Sequence, residues 1–305
     1  VAPTCTETGL TEGKHCAECG KILVAQEEVA ALGHTEGEVV IENNVDPTYN
    51  EAGSYDEVVY CTVCNEELSR ETITVPVLTG AEAQIGNVKY GTLAEAVAQG
   101  GTVELLKDVA TDAAIVVDKA VVLELGEYNV STTQNDTVGD GVFHVVAGGD
   151  LTINGEGTIN GVGGNDYNMA IWADGGKVTI NGGTYTNVGA TDVTGDTHFD
   201  LIYVKNGGEV VINGGTFIAE NPAWTLNSHD TKTGTIKVYG GEFKGFDPAN
   251  NAAEGAGTNF LANAEDHTAL VGEYYSICEG EHVVDAAVAP TCTETGLTEG
   301  KHCAE

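Results

Sequence analysis

The sequence predicts an all-β protein: a parallel β-helix with small Cys/His-stapled modules at its N-terminal end. Three observations carry this. A rung motif recurs as Leu151-Thr152-Ile153-Asn154-Gly155, Val178-Thr179-Ile180-Asn181-Gly182-Gly183, Val210-Val211-Ile212-Asn213-Gly214-Gly215 and Ile236-Lys237-Val238-Tyr239-Gly240-Gly241, with starts 27, 32 and 26 residues apart. Glycines number 41 while aromatics make up 6% of the chain, a balance that suits short strands and tight turns rather than helix bundles. Cys5, Cys16, Cys19, Cys61 and Cys64 crowd the N-terminal quarter, and four of them form CxxC pairs, which read more naturally as metal ligands than as scattered disulfides.

Residues 1–35 form the first Cys/His module. Cys16-Ala17-Glu18-Cys19-Gly20 has the pattern of a knuckle that wraps backbone N–H groups around a bound thiolate. A short strand-like run at 22–25 follows, and the module ends at Gly33-His34. The spacing offers Cys5, Cys16, Cys19 and His34 as the four ligands of a tetrahedral Cys3His zinc site. So short a segment buries little core and needs a staple.

Residues 36–79 read as a degenerate second module. The stretch 46–53 echoes 2–9, with Tyr49 in place of the first cysteine. Cys61-Thr62-Val63-Cys64 keeps the CxxC, and no histidine follows Leu78. Cys61 and Cys64 therefore close as a disulfide or borrow zinc ligands from the first module. One four-thiolate version joins Cys16 and Cys19 to Cys61 and Cys64, leaving Cys5 to pair with the Cys278 of a preceding unit. Together the stretch 3–20 and the Leu23-Val24-Ala25-Gln26 and Ala31-Leu32-Gly33-His34 runs resemble the short Cys/His repeats of large surface proteins from gut Firmicutes. The resemblance covers 1–35 well and 36–79 loosely. It implies a spacer role, and Tyr49 and Leu78 depart from its pattern.

Residues 80–277 make up the β-helix with its covers. Thr92 is placed to cap a short helix whose apolar face is Leu93, Ala96 and Val97, ended by Gly100-Gly101. This helix is expected to cover the open end of the strand array, where unpaired edges are a hazard. Strand-like runs follow at 103–106, 115–117, 121–125 and 142–146, and then the four rungs. Each rung has a strand before it (142–146, 170–173, 201–204, 224–227) and a short one after it (158–160, 184–186, 216–218, 242–244). Three strands per turn of about 27 residues is the arithmetic of a β-helix, with the V-x-I alternation turning apolar side chains inward. Asn154, Asn181 and Asn213 are expected to stack as a ladder that Tyr239 ends. Residues 247–277 read as a closing loop and strand. The rungs resemble the right-handed pectate-lyase-like β-helix domains of bacterial surface proteins, over roughly 81–260. That resemblance implies the handedness and the fold but no activity.

Residues 278–305 begin a further copy, for 288–305 repeats 1–18 letter for letter. The chain then reads as a window on a tandem array with a period of 287 residues, a cloning duplication being the plainer alternative. With 47 Asp+Glu against 12 Lys+Arg the net charge is −35. This argues against nucleic acid and anionic membranes as partners, and no apolar run reaches the roughly 20 residues that span a bilayer. Calcium is a second candidate cation, for loose carboxylate sites.

Enzymes of the resembled β-helix class cleave acidic polysaccharides with an arginine base or an aspartate cluster. The one arginine here, Arg70, lies outside the β-helix. The remaining candidates, Asp166, Asp196, His198, Asp200, His229 and Asp230, read as solvated loop residues. His144 reads as an outward surface residue. Trp172 and Trp224 read as a cover for the coil face, or else as a sugar-stacking surface. The expectation is therefore no enzyme but a secreted or cell-surface structural repeat of a stalk, fibre or adhesin. Its partners are neighbouring copies and host or cell-surface glycans. The alternative is a carbohydrate-binding or acidic-polysaccharide-degrading β-helix.

Overall fold

Strands make up nearly all the regular backbone of the computed structural model, which describes residues 1–132, 141–162, 168–190, 199–228, 233–251, 258–278, 282–291 and 293–303. Among these residues the helical segments are Leu93–Val97 and the 3-10 turn Pro222–Trp224. The chain divides into two compact units, Val1–Thr79 and Gly80–Glu305.

The second unit is a parallel β-helix, each pass of the chain laying one strand in each of three sheets. The first sheet stacks Gly101–Leu105, Ala120–Glu124, Asp150–Asn154, Lys177–Ile180, Glu209–Ile212 and Thr235–Val238 in parallel. The second stacks Val109–Thr111, Val130–Thr132, Thr158–Asn160, Thr184–Thr186, Thr216–Ile218 and Glu242–Lys244. The third stacks Ile115–Val117, Phe143–Val146, Ile171–Asp174, Ile202–Lys205 and Leu226–Asn227. The period-2 alternation puts every second residue inside. In register this makes columns: Val103, Leu123, Ile153, Ile180, Ile212 and Val238 run down the first sheet with none of their surface exposed.

Outside the same sheet the expected asparagine ladder forms. Asn213 Nδ2 donates to Asn181 Oδ1, and Asn181 Nδ2 to Asn154 Oδ1, each at 2.8 Å. Asn154 Nδ2 then donates to Glu124 Oε1 at 2.7 Å, so the ladder runs one coil further than the asparagines do. The glycines after them are required twice over. Gly183, Gly215 and Gly241 have φ of 88°, 102° and 111°, and a Cβ on Gly182 or Gly240 would stand 2.6 or 2.4 Å from the carbonyl oxygen of the coil below.

Both ends of the stack are covered. The hairpin of Ala83–Ile85 and Val88–Tyr90 joins the first sheet antiparallel through Gly101–Leu105. Beside it the helix Leu93–Val97 has the Thr92/Glu95 capping box and buries Leu93, Ala96 and Val97 in the core. At the other end the hairpin of His267–Val271 and Tyr274–Cys278 joins the second sheet antiparallel on Glu242–Lys244. Switching from parallel to antiparallel pairing ends the repeat with no further coil to template. In the fourth rung the segment read as a strand at 224–227 is shorter. Pro222 forces a 3-10 turn, which leaves only Leu226–Asn227 extended.

The first unit consists of two hairpins built alike. One runs out through Gly9–Leu10 and Lys14–His15 and returns through Ile22–Val24 and Glu28–Val29. The other runs out through Gly53–Cys61 and returns through Glu67–Val75, with Glu36–Val45 on its far edge, giving a three-stranded sheet. At each tip the first cysteine of the CxxC accepts a backbone bond, Gly20 N–H to Cys16 O and Asn65 N–H to Cys61 O, and the donor lies at positive φ. At each base a Pro-Thr turn closes: Glu7 N–H donates to Thr4 Oγ1 and Glu51 N–H to Thr48 Oγ1, both at 2.9 Å. The residues 288–303 repeat this turn, with Glu294 N–H donating to Thr291 Oγ1 at 3.0 Å. Gly9, Gly53 and Gly296 are fixed by the turn, since a Cβ there would lie 2.5, 2.5 and 2.4 Å from the carbonyl oxygens of Val1, Val45 and Val288. The degenerate second module thus keeps the hairpin of the first even where it has lost its cysteine.

Apolar burial in this unit is thin. Val58 is fully buried, but Val39, Val40, Ile41, Ile22 and Leu23 are exposed. Polar groups hold the three-stranded sheet: Arg70 pairs with Asp56 at 2.8 Å, Glu42 at 2.9 Å and Glu67 at 2.7 Å. Thr72 and Asn43 also donate to Asp56, which with Arg70 holds its carboxyl down to about 2.

Candidate metal centre

The tip of the second hairpin meets the base of the first. There Cys5, His34, Cys61 and Cys64 bring one ligand atom each to within 4.8 Å of all the others. Cys5 Sγ and Cys61 Sγ are 3.8 Å apart, and Cys64 Sγ is 3.4 Å from His34 Nδ1. All three thiols are free, and those of Cys5 and Cys61 are buried. A donor set of this kind, drawn from residues 59 apart at the extremes, can hold a metal ion and would staple two hairpins that have little core of their own.

Local structure explains the set. Cys5 sits at the base because Gly33 N–H donates to Cys5 O and Leu32 N–H to Thr4 O, which brings His34 alongside. Cys61 and Cys64 sit at the tip. Thr35, next to His34, ties the two together: its N–H donates to Cys61 Sγ at 3.4 Å, and its carbonyl accepts from Thr62 N–H at 2.9 Å. The other nitrogen of His34, Nε2, lies 3.5 Å from Glu66 Oε2. A ligating imidazole that presents Nδ1 to the ion and Nε2 to a carboxylate has its tautomer fixed, as second-shell carboxylates do in metal sites.

The two buried thiols are made unequal. Burial pushes Cys61 up, but N–H groups of Cys64, Thr35 and Val63, and then His34, overcome it and bring the thiol down to about 5. Burial pushes Cys5 up to about 12, helped by the neighbouring Cys64 and Cys61 sulfurs. The pocket thus favours a thiolate at Cys61 and resists a second charge beside it unless a cation enters.

Of the donors read from the spacing, Cys5 and His34 come together and Cys16 and Cys19 do not join them. Cys5 belongs to the base of its hairpin and Cys16/Cys19 to the tip, with the outgoing strands between. The places left open are taken by Cys61 and Cys64, the pair for which borrowing from the first module was one of the alternatives. What the spacing hid was that a knuckle is completed by the module before it. The common tip-and-base geometry of the two hairpins was the available signal. Cys16 remains a prepared tip: N–H groups of Cys19 and Glu18 hold its thiol low.

Of the β-helix residues read as loop or coil-face groups, His144, Trp172, Asp200 and Trp224 are among the described residues. His144 stacks on Trp172 with ring centroids 4.0 Å apart and planes 1° from parallel, and Tyr203 continues the column at 6.3 Å. Trp224 lies in the 3-10 turn Pro222–Trp224. Asp200 Oδ1 accepts from Asn227 Nδ2 at 2.8 Å. Asp166, Asp196, His198, His229 and Asp230 lie outside the described residues. The chain has no helix among the described residues long and apolar enough to cross a membrane.

No protein-family model, curated protein or solved structure matches this chain.

Proposed function

We propose that this chain is a structural repeat unit of a long extracellular stalk, fibre or adhesin, in which stiff β-helix rods are joined by Cys/His modules that zinc holds closed. The observation that carries this reading is the recurrence of residues 1–18 at 288–305 with the same Pro-Thr turn at both places. A rod suits the β-helix because the backbone of each inner coil pairs with the coils on both sides. The Firmicutes surface-repeat resemblance and the acidic charge fit an exported protein whose partners are its own neighbouring copies. Electron microscopy of the native assembly tests it: a regular axial repeat, one per 287-residue unit, is the expected result, and isolated globules overturn it.

Zinc is the ion the donors fit best. A tetrahedral ion about 2.3 Å from each thiolate sets the sulfurs about 3.8 Å apart, and a sulfur and an imidazole nitrogen about 3.5 Å apart. The separations of 3.8 and 3.4 Å match those edges. Calcium prefers oxygen ligands, and the cluster found among the described residues is of thiols and an imidazole. Elemental analysis of protein purified without added metal decides, one zinc per 1–79 module pair being expected.

A second reading, carbohydrate binding on the β-helix, draws on the half-buried His144-Trp172-Tyr203 column, whose ring edges and end faces, rather than the mutually covered ones, would meet a sugar. Binding to pectins and other acidic glycans that Trp172→Ala abolishes would raise this reading above the first. Turnover lost in Asp200→Asn would make the protein an enzyme.

A further inference from the structure

The first hairpin lacks a strand that its counterparts have. In the second module Gly53–Cys61 is central, with Glu67–Val75 on one edge and Glu36–Val45 on the other. In the first, Lys14–His15 pairs with Ile22–Val24 alone among the described residues. The same four residues occur again at 300–303, and there they pair with a strand that precedes them. Gly300–Cys303 pairs antiparallel with His282–Asp285, in the register His282↔Cys303, Val283↔His302, Val284↔Lys301 and Asp285↔Gly300. His282–Asp285 precedes that copy as Glu36–Val45 precedes the second module, and Glu36 is the register partner of Cys61 as His282 is of Cys303. The same sequence is thus paired with Ile22–Val24 in one place and with His282–Asp285 in the other, and the second module shows both kinds of partner on one strand.

We propose that the open edge at residues 13–16 is the docking site for the strand His282–Asp285 of the preceding copy, so that each joint is completed by a strand added from the unit before it. This rests on the tandem-array reading of the chain. Strand addition satisfies the backbone groups of the open edge and covers an exposed strand pair, since Ile22, Leu23 and Val24 are 68%, 64% and 49% exposed. It also sets a histidine, His282, in register opposite Cys16 of the prepared tip. The second module's tip is completed in a related way, by His34 two residues before Glu36.

The test is hydrogen exchange on a two-copy protein, residues 1–287 joined to a second 1–287. Lys14→Arg in the N-terminal copy makes its 13–16 peptide separable by mass from the other. The unmarked peptide is expected to exchange at least tenfold more slowly than the marked one. Val284→Pro in both copies should remove that difference, because proline takes a ladder N–H out of the strand, and Val284→Ile should keep it. Equal exchange in the marked and unmarked peptides overturns the docking, as does protection that survives Val284→Pro. Equal exchange together with a regular axial repeat in micrographs leaves the stalk reading standing without the docking. Protection without such a repeat overturns the stalk reading alone.

Discussion

Asp56 shows how single residues substitute for a core in the first unit. Three donors, from Thr72, Asn43 and Arg70, converge on its carboxylate, and its folded pKa of about 2 lies below the ordinary 3.8. A carboxyl depressed on folding contributes stability that is complete above its unfolded pKa and is lost as pH falls through the folded one. Thermal melts of the parent should therefore lose stability between about pH 4 and pH 2, and Asp56→Asn should melt lower at neutral pH with a flatter slope over that window. The cysteines give a second residue-scale test. Cys61→Ser or His34→Ala should abolish stoichiometric metal binding by the 305-residue chain, whereas Cys16→Ser with Cys19→Ser should leave it intact. Titration of zinc against a chromophoric chelator reads this directly. The reverse pattern would restore the Cys5/Cys16/Cys19/His34 set. At this scale the sequence displayed the right residue types but not their partition. Spacing along the chain says which cysteines can share a turn, and only the fold says which turn meets which base. Arg70 was visible merely as the lone arginine, and nothing in its neighbourhood announced three carboxylates.

Elements were far more legible, because a coil repeats its own instructions. Rungs at 151, 178, 210 and 236 each carry the same V-x-I alternation and the same turn glycines, so each supports the reading of the others. The capping helix was equally plain, from Thr92, Glu95 and three apolar residues on one face. Not legible was the inside of the second sheet. Its inward column runs Val109, Val130, Ile159, Tyr185, Phe217 and Phe243, aliphatic at one end and aromatic at the other. Tyr185 and Phe217 stack at 5.0 Å, and Phe217 and Phe243 at 4.7 Å, all fully buried. Strands of three residues with one or two inward side chains each are too short to show a pattern, and their register appears only once the coils are stacked. Phe217→Ala should destabilise the β-helix by about 3–5 kcal/mol, measured by urea unfolding, more than Val130→Ala at the other end of the column. Asn181→Asp sets two acceptors against each other in the exposed ladder and should cost about 1 kcal/mol.

On the scale of the whole molecule, charge and repetition act together. A net charge of −35 repels one molecule from another, and this repulsion reaches only about 10 Å at 0.1 M salt. Sideways association of purified protein should therefore be weakest in dilute buffer and grow with ionic strength, as sedimentation velocity would show. The proposed tandem organisation rests on one 18-residue identity, 1–18 with 288–305. The pairing proposed for the joint was not legible, since it rests on the strand partners of 14–15 and 300–303, which only the fold displays.

The Cys5/His34/Cys61/Cys64 cluster has a mechanical consequence. An ion held there would link Cys5 to Cys64 and take the 58 residues between them out of the path along which tension travels. A tethered protein pulled from its ends should reach its full length in two stages, and the stage that requires rupture of metal–thiolate bonds should release about 200 Å of slack. With a chelator present, that slack should appear at low force. Metal supply would then set how far residues 1–79 extend under a given load.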